Sequence, residues 1–190
     1  MARLDVVDAV TDINLQEWHM QGGVECLLLD VEGTVAPYGS TEVDPGVLRK
    51  LEAARESGYI SVVGLVSNKT DLGFLNEVGD QVAADGIFIP LERSERKPSP
   101  TLVERAMREL EQTKDTTGMA GDKYTADVKA AMAAELTRIA WNGRLGTTDH
   151  LGDRLLRRPY EAVMCRLPLV RILGGSIELD YPLQTHIFRT

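Results

Sequence analysis

Short, mainly apolar runs alternate with amphipathic stretches over residues 24–143 of the sequence. Runs of this length, bounded by turn residues, are typical of the buried strands of a parallel sheet. The stretches between them place apolar residues at helical spacing, as with Leu102, Ala106 and Leu110. The predicted strands cover 24–31, 59–66, 86–90, 116–120 and 138–143. Because strands that alternate with helices build βαβ units, the sequence predicts an α/β fold with a doubly wound, mainly parallel, Rossmann-like sheet.

Two dipeptides mark the predicted starts of helices. Asp44-Pro45 and Ser99-Pro100 each combine a residue suited to the N-cap with a proline suited to the first helical position. A shorter helix is predicted over 71–78. The pattern also divides the chain into a lead-in helix within 1–23, a core over 24–166 and a C-terminal tail over 167–190.

Composition and charge narrow the class of protein. The 190 residues suit one domain with a core large enough to need no disulfide, and Cys26 and Cys165 form no CxxC motif. A net charge of -8 argues against a broad nucleic-acid surface, so we expect no nucleic-acid partner. The start lacks the apolar core of a signal peptide and no apolar run approaches a membrane span, which predicts a cytoplasmic protein.

Two parts of the C-terminal third leave alternatives open. Arginines are frequent over 144–171. One interpretation is a solvated face, and the other is contact with an anionic substrate or a membrane surface. The apolar positions of the tail fit a hairpin or packing against a partner, so an oligomer stays open. These positions are Val170, Ile172, Ile177 and Leu179.

Polar residues with a chemical use follow the predicted strands. Because the carboxyl ends of parallel strands meet at one edge, we expect these side chains to share a crevice there. Crowded carboxylates repel one another unless a cation lies among them, and oxygen ligands of this kind suit Mg²⁺. Each residue alone is more typical of a turn or a solvated loop, but their joint order favours a site. The residues are Asp30, Glu32, Ser67, Lys97, Asp122 and Asp127.

These positions resemble the four motifs of the haloacid dehalogenase-like (HAD) hydrolase superfamily. The resemblance rests on Asp30-Val-Glu32-Gly33-Thr34, Ser67-Asn68, Lys97-Pro98 and Gly121-Asp122-x-x-x-x-Asp127, in the family's order. The first two motifs lie 37 positions apart (67 − 30) and the next two 30 apart (97 − 67), which leaves no room for a large cap domain. The chain is therefore similar to the capless subclass III, and within it to YqeG-type phosphatases, which are related to phosphatidylglycerophosphate phosphatases.

The resemblance implies a role for each residue. Asp30 would be the nucleophile that becomes an aspartyl-phosphate, and Glu32 the general acid and base. Ser67, Asn68 and Lys97 would bind the transferred phosphoryl group of a phosphorylated substrate. The Mg²⁺ ligands would be Asp30, the backbone carbonyl of Glu32, Asp122 and, directly or through water, Asp127.

Glu32 departs from the aspartate that most of these phosphatases carry two residues after the nucleophile. Enolase-phosphatases of the superfamily have the same Asp-x-Glu-Gly-Thr pattern, so glutamate is compatible with phosphoryl transfer. The leading hypothesis is a Mg²⁺-dependent phosphomonoester hydrolase with an open site, acting on a phospholipid phosphate or another bulky substrate. The alternatives are a phosphatase of small soluble metabolites and a non-catalytic module that binds phosphorylated ligands.

Overall fold

The computed structural model describes residues 2–142, which fold around a six-stranded sheet in which all strands are parallel. The strands are β1 (Arg3–Val6), β2 (Cys26–Leu29), β3 (Val62–Val66), β4 (Gly86–Phe88), β5 (Thr117–Gly121) and β6 (Arg138–Trp141). Their order in the sheet is β1-β6-β5-β2-β3-β4, so β2 lies inside the sheet between β5 and β3. The predicted α/β class and parallel sheet are confirmed.

Helices connect the strands, and several begin where capping residues place them. The helices are α1 (Leu15–Gly22), α2 (Pro45–Glu56), α3 (Leu72–Val82), α4 (Thr101–Glu109) and α5 (Lys129–Ala133). Asp44 accepts a hydrogen bond from Gly46 N (2.6 Å) at the start of α2, and Asp71 accepts one from Phe74 N (3.1 Å) at the start of α3. A π-helical turn (Tyr124–Val128) and 3₁₀ turns (Val10–Asp12 and Arg93–Glu95) complete the described elements.

Helices cover both faces of the sheet and create two cores. Alternate residues of β2 point to opposite faces: Leu27 and Leu29 enter one core, and Cys26 and Leu28 enter the other. The first core holds the buried sides of α1, α2 and α3, and the second those of α4 and α5. This two-sided burial explains why β2 is apolar at every position.

Two local details differ from the sequence expectation. The lead-in segment contributes β1, which pairs with β6 at the edge of the sheet, as well as the expected helix. Pro100, not Ser99, occupies the N-cap of α4, and α4 starts at Thr101. The Ser99 hydroxyl still accepts a hydrogen bond from Thr101 N (3.4 Å).

Several predictions lie outside the described residues. They are the arginine-rich stretch over 144–171, the tail over 167–190 and the end of the proposed core at 166. None of the helices within residues 2–142 combines the length and the apolar character that a membrane crossing requires.

Candidate active site

The order in which successive strands are added to the sheet reverses at β2, and Asp30 follows this strand directly. From β2 the chain continues to β3 and β4 on one side, and β5 and β6 lie on the other. Ligands of doubly wound folds bind beyond the carboxyl ends of the strands at such a switch point. Asp30 N donates to Ala120 O (2.9 Å), which fixes this carboxylate between the ends of β5 and β3.

Lys97 lies at the centre of a buried cluster of charges. Its ammonium contacts Asp30 Oδ1 (2.6 Å) and Asp127 Oδ1 (2.6 Å), and it donates a hydrogen bond to Val66 O (2.7 Å). The Lys97 side chain is only 2% exposed, against 9% for that of Asp30 and 3% for that of Asp127. Three sequence motifs that lie far apart along the chain therefore meet around one ammonium group.

Burial and neighbouring charges shift both partners of the Lys97–Asp30 pair. Burial and the charge of Asp127 raise the pKa of Asp30 to about 7, although Lys97 acts in the opposite direction. Burial alone would lower the pKa of Lys97, but Asp127 and Asp30 outweigh it and raise that pKa above its ordinary value. Lys97 is therefore firmly protonated, and Asp30 lies in a site where negative charge is in excess.

The fourth motif brings two more carboxylates to the cluster. Asp122 follows β5, and its Oδ2 accepts a hydrogen bond from Tyr38 Oη (2.5 Å). Asp127 lies in the π-helical turn, and its Oδ2 accepts one from Lys123 N (2.8 Å). A Cβ at Gly121 would lie 2.4 Å from Asp127 Cβ, so a residue without a side chain is needed for Asp127 to come this close.

Glu32 makes its contacts on the loop side of the site. Its Oε1 accepts a hydrogen bond from Gly39 N (2.9 Å) and forms an ion pair with Lys69 Nζ (3.1 Å). Its side chain is 24% exposed, so it is in contact with solvent. The first acid of the motif is therefore buried in the cluster, and the second lies where it can exchange protons with water.

The second motif is tied to the third through backbone contacts. The Asn68 side chain donates to Lys97 O (3.0 Å) and accepts from Lys97 N (2.9 Å), so both of its polar atoms are used. The buried Ser67 hydroxyl accepts a hydrogen bond from Lys69 N (3.1 Å). Asn68 therefore fixes the backbone from which the Lys97 ammonium reaches Asp30.

The cluster suits a hard divalent cation. Asp30, Asp122 and Asp127 each offer a carboxylate oxygen, and the three atoms lie within 4.8 Å of one another. Three carboxylates against one ammonium leave a formal charge of −2 (−3 + 1) in a buried site. Asp30, Asp122 and Asp127 would hold Mg²⁺, which prefers carboxylate oxygens and would neutralise this excess of negative charge.

Two residues of this site carry no signal in the sequence. Tyr38 reaches Asp122 from a loop, and Asn142 at the end of β6 donates its Nδ2 hydrogen to Gly33 O (2.8 Å). Gly33 has a φ of +81°, and a Cβ there would lie 2.8 Å from Tyr38 and 2.9 Å from Asp122. These residues hold the turn after Asp30 against the fourth motif.

This chain is similar to one protein family and to several solved structures. Residues 94–155 match the HAD-hydrolase-like family model, a segment that includes Lys97, Asp122 and Asp127. No curated protein matches the chain.

Solved structures of other proteins share its fold, among them the following three. A HAD phosphatase from Thermococcus onnurineus is 17% identical, with a TM-score of 0.52 over 65% of this chain and 90% of that one. An uncharacterized protein from Listeria monocytogenes serotype 4b is 17% identical, with a TM-score of 0.51 over 62% and 78%. CbbY from Rhodobacter sphaeroides, in complex with phosphate, is 14% identical, with a TM-score of 0.50 over 67% and 90%. These comparisons show that residues 94–155 are similar to HAD-like hydrolases and that the described part of the chain shares the fold of the three structures.

Proposed function

We propose that this protein is a Mg²⁺-dependent phosphomonoester hydrolase that works through an aspartyl-phosphate on Asp30. The observation that carries the proposal is the buried contact of Lys97 with Asp30 and Asp127, with Asp122 in the same cluster. Ligands of doubly wound folds bind beyond the carboxyl end of such an inner strand, which is where Asp30 lies. The similar structures include a HAD phosphatase, which agrees with this chemistry.

In the first step a carboxylate oxygen of Asp30 attacks the phosphorus of the ester. The bond between phosphorus and the ester oxygen breaks, and Glu32 gives that oxygen a proton so that the product leaves as an alcohol. The Lys97 ammonium and the Ser67 hydroxyl stabilise the charge on the phosphoryl oxygens, and Asn68 keeps the Lys97 backbone in position.

In the second step water attacks the aspartyl-phosphate. Glu32, now a carboxylate, takes the proton of the water, and the bond between phosphorus and the Asp30 oxygen breaks. Inorganic phosphate leaves, and Asp30 is ready for another cycle. Mg²⁺, bound by Asp30, Asp122, Asp127 and the Glu32 carbonyl, would neutralise phosphoryl charge during both steps.

Hydrolysis of p-nitrophenyl phosphate tests this proposal. We expect release of nitrophenol that requires Mg²⁺ and stops with EDTA. Asp30→Asn should lower kcat by about a thousandfold or more, because the nucleophile is gone. Asp115→Asn, which changes an exposed aspartate in the loop before β5, is the matched control and should keep full activity. Full activity of Asp30→Asn would contradict the proposal.

The finer proposal is a phosphatase without a cap domain, whose catalytic core spans residues 24–166. Its open site would accept the phosphate of a phospholipid. Two exposed large apolar side chains, Leu72 (51%) and Leu91 (72%), follow β3 and β4 at the carboxyl edge of the sheet. Leu72 begins the helix after the second motif, and Leu91 lies in the loop after β4, so both could contact acyl chains or a membrane surface. A panel of sugar phosphates, nucleotides and phosphatidylglycerophosphate in micelles tests this; a strong preference for sugars would favour a phosphatase of soluble metabolites.

A module that binds phosphorylated ligands without turning them over is the remaining alternative. The contacts of Glu32 favour it, because Lys69 Nζ and Gly39 N both occupy Oε1, a carboxylate oxygen that proton transfer to a substrate could otherwise use. Beryllium fluoride with Mg²⁺ distinguishes the two. A hydrolase should trap an analogue of the aspartyl-phosphate, whereas a binding module should bind a phosphorylated ligand and trap none.

A further inference from the structure

A cavity of about 420 Å³ lies between the loops that follow β3 and β4, at the carboxyl edge of the sheet. One wall is Thr70, three residues after Ser67; the other walls come from the loop after β4. This loop leads directly to Lys97, because Arg96 lines the cavity and is the preceding residue. The two chain segments that line the cavity therefore also supply the residues of the proposed phosphoryl site, Ser67 and Lys97. Its lining residues are Thr70, Pro90, Leu91, Glu92, Arg93 and Arg96.

The loop after β4 is held by hydrogen bonds at both ends. Glu95 Oε2 accepts a hydrogen bond from Leu91 N (2.8 Å) and pairs with Arg105 of α4 (3.4 Å), and Arg105 also donates to Ile89 O. At the other end, the Asn68 amide binds the Lys97 backbone. The cavity therefore has walls that are formed before any ligand arrives.

The cavity has an excess of positive charge. Arg93 and Arg96 line it, both are exposed, and neither forms an ion pair or a side-chain hydrogen bond within residues 2–142. Glu92 is the single acid among the lining residues, and the nearby Glu95 is already taken by Arg105. Two guanidinium groups against one carboxylate leave a net positive charge in a concave site, which attracts anions.

We propose that this cavity is a second anion subsite, which selects phosphomonoesters that carry another phosphate or a carboxylate. The inference rests on the proposed function, since it names the substrate class of the same site. Arg93 and Arg96 would bind the second anionic group while Lys97 and Ser67 hold the phosphoryl group to be transferred. The chemistry is the same whether the second anion belongs to a soluble metabolite or to a lipid headgroup.

Matched pairs of esters test the subsite by turnover. Butanediol bisphosphate and longer alkanediol bisphosphates are compared with butyl phosphate, which lacks the second anion. We expect the best bisphosphate to have the higher kcat/KM, and Arg93→Gln/Arg96→Gln to lower that kcat/KM about 10- to 100-fold while butyl phosphate is unaffected. Arg108→Gln, an exposed arginine in the last turn of α4, is the control and should change neither. Equal loss for both esters, or no preference in the unaltered protein, would overturn the subsite.

Binding separates this inference from the proposed function. In the Asp30→Asn protein, calorimetry with butanediol bisphosphate should show affinity about tenfold lower once both arginines are replaced. Unchanged affinity would overturn the subsite even if the unaltered protein hydrolyses esters. If no ester is turned over but the arginines govern binding, the hydrolase proposal fails and the subsite stands. A parallel experiment uses lipid micelles and compares phosphatidylglycerophosphate, which has a second phosphate, with phosphatidic acid, which has none. If replacing the arginines abolishes a preference for phosphatidylglycerophosphate, the second anion belongs to a lipid headgroup; if it abolishes only the preference for the alkanediol bisphosphates, the second anion belongs to a soluble ester.

Discussion

At the scale of single residues, the site depends on one buried positive charge. Lys97 is surrounded by Asp30, Asp127 and the carbonyl of Val66, and water hardly reaches it. Buried carboxylates that lose their partner keep the cost of leaving water without the attraction that offsets it. The stability of the metal-free protein should therefore respond strongly to this side chain.

Lys97→Met tests this dependence with a neutral side chain of similar length. Without divalent cations at pH 8, we expect the free energy of unfolding to fall by about 3 kcal/mol, because Asp30 and Asp127 remain buried and close together. Urea denaturation followed by circular dichroism measures the change. Lys114→Met is the control, since its pair with Glu135 lies on the surface and should leave the midpoint unchanged. Equal shifts for the two variants would show that the buried pair contributes nothing special.

The residues that the sequence could predict are those with a motif around them. Asp30, Ser67, Lys97, Asp122 and Asp127 each follow a strand, so the parallel order of strands was enough to bring them to one edge. Tyr38 and Asn142 could not be found in this way. Their hydrogen bonds to Asp122 and Gly33 join positions 84 and 109 residues apart, and local periodicity carries no information on such contacts.

At the scale of elements, the strands β2 to β6 were predicted from the sequence and the edge strand β1 was not. β1 has only four residues and alternates charged with apolar side chains, so it lacks the apolar run by which buried strands are recognised. Hydrogen bonds to β6 define it, together with the contact of Trp18 Nε1 with Asp5 Oδ2 (2.7 Å). The π-helical turn was equally hidden, because its sequence continues into α5 with ordinary helical spacing.

Gly121 ends β5 just before the π-helical turn, and the close approach of Asp127 leaves no space there for a side chain. Gly121→Ala should lower the free energy of unfolding by about 1–3 kcal/mol, because the new Cβ would collide with Asp127 Cβ and push this carboxylate away from Lys97. The melting temperature measures the change. Gly73→Ala is the matched control: its Cβ would meet Asp71 at an ordinary 3.5 Å within α3, so stability should stay the same or rise slightly. A stable Gly121→Ala protein would mean that the close approach is not required.

At the scale of the whole molecule, the sheet separates two hydrophobic cores, and the inner strand β2 contributes side chains to both. Cys26 begins β2 and is fully buried in the core that α4 and α5 cover. Burial raises the pKa of its thiol to about 12. In the unfolded chain a cysteine titrates near pH 8.5, so between these values only the unfolded state loses the proton.

Stability should therefore fall as the pH rises above about 8.5, by up to about 1.4 kcal/mol per pH unit from this thiol alone. Below that pH both states keep the proton and the thiol adds no slope. Urea denaturation at pH 8 to 10 should show a steeper loss for Cys165→Ser than for Cys26→Ala/Cys165→Ser, because lysine and tyrosine contributions are the same in both proteins. The cavity left by alanine lowers the second curve by a constant amount without changing its slope. Parallel curves would contradict the burial of Cys26, and with it the two-sided packing of β2 that places Asp30 at the carboxyl edge.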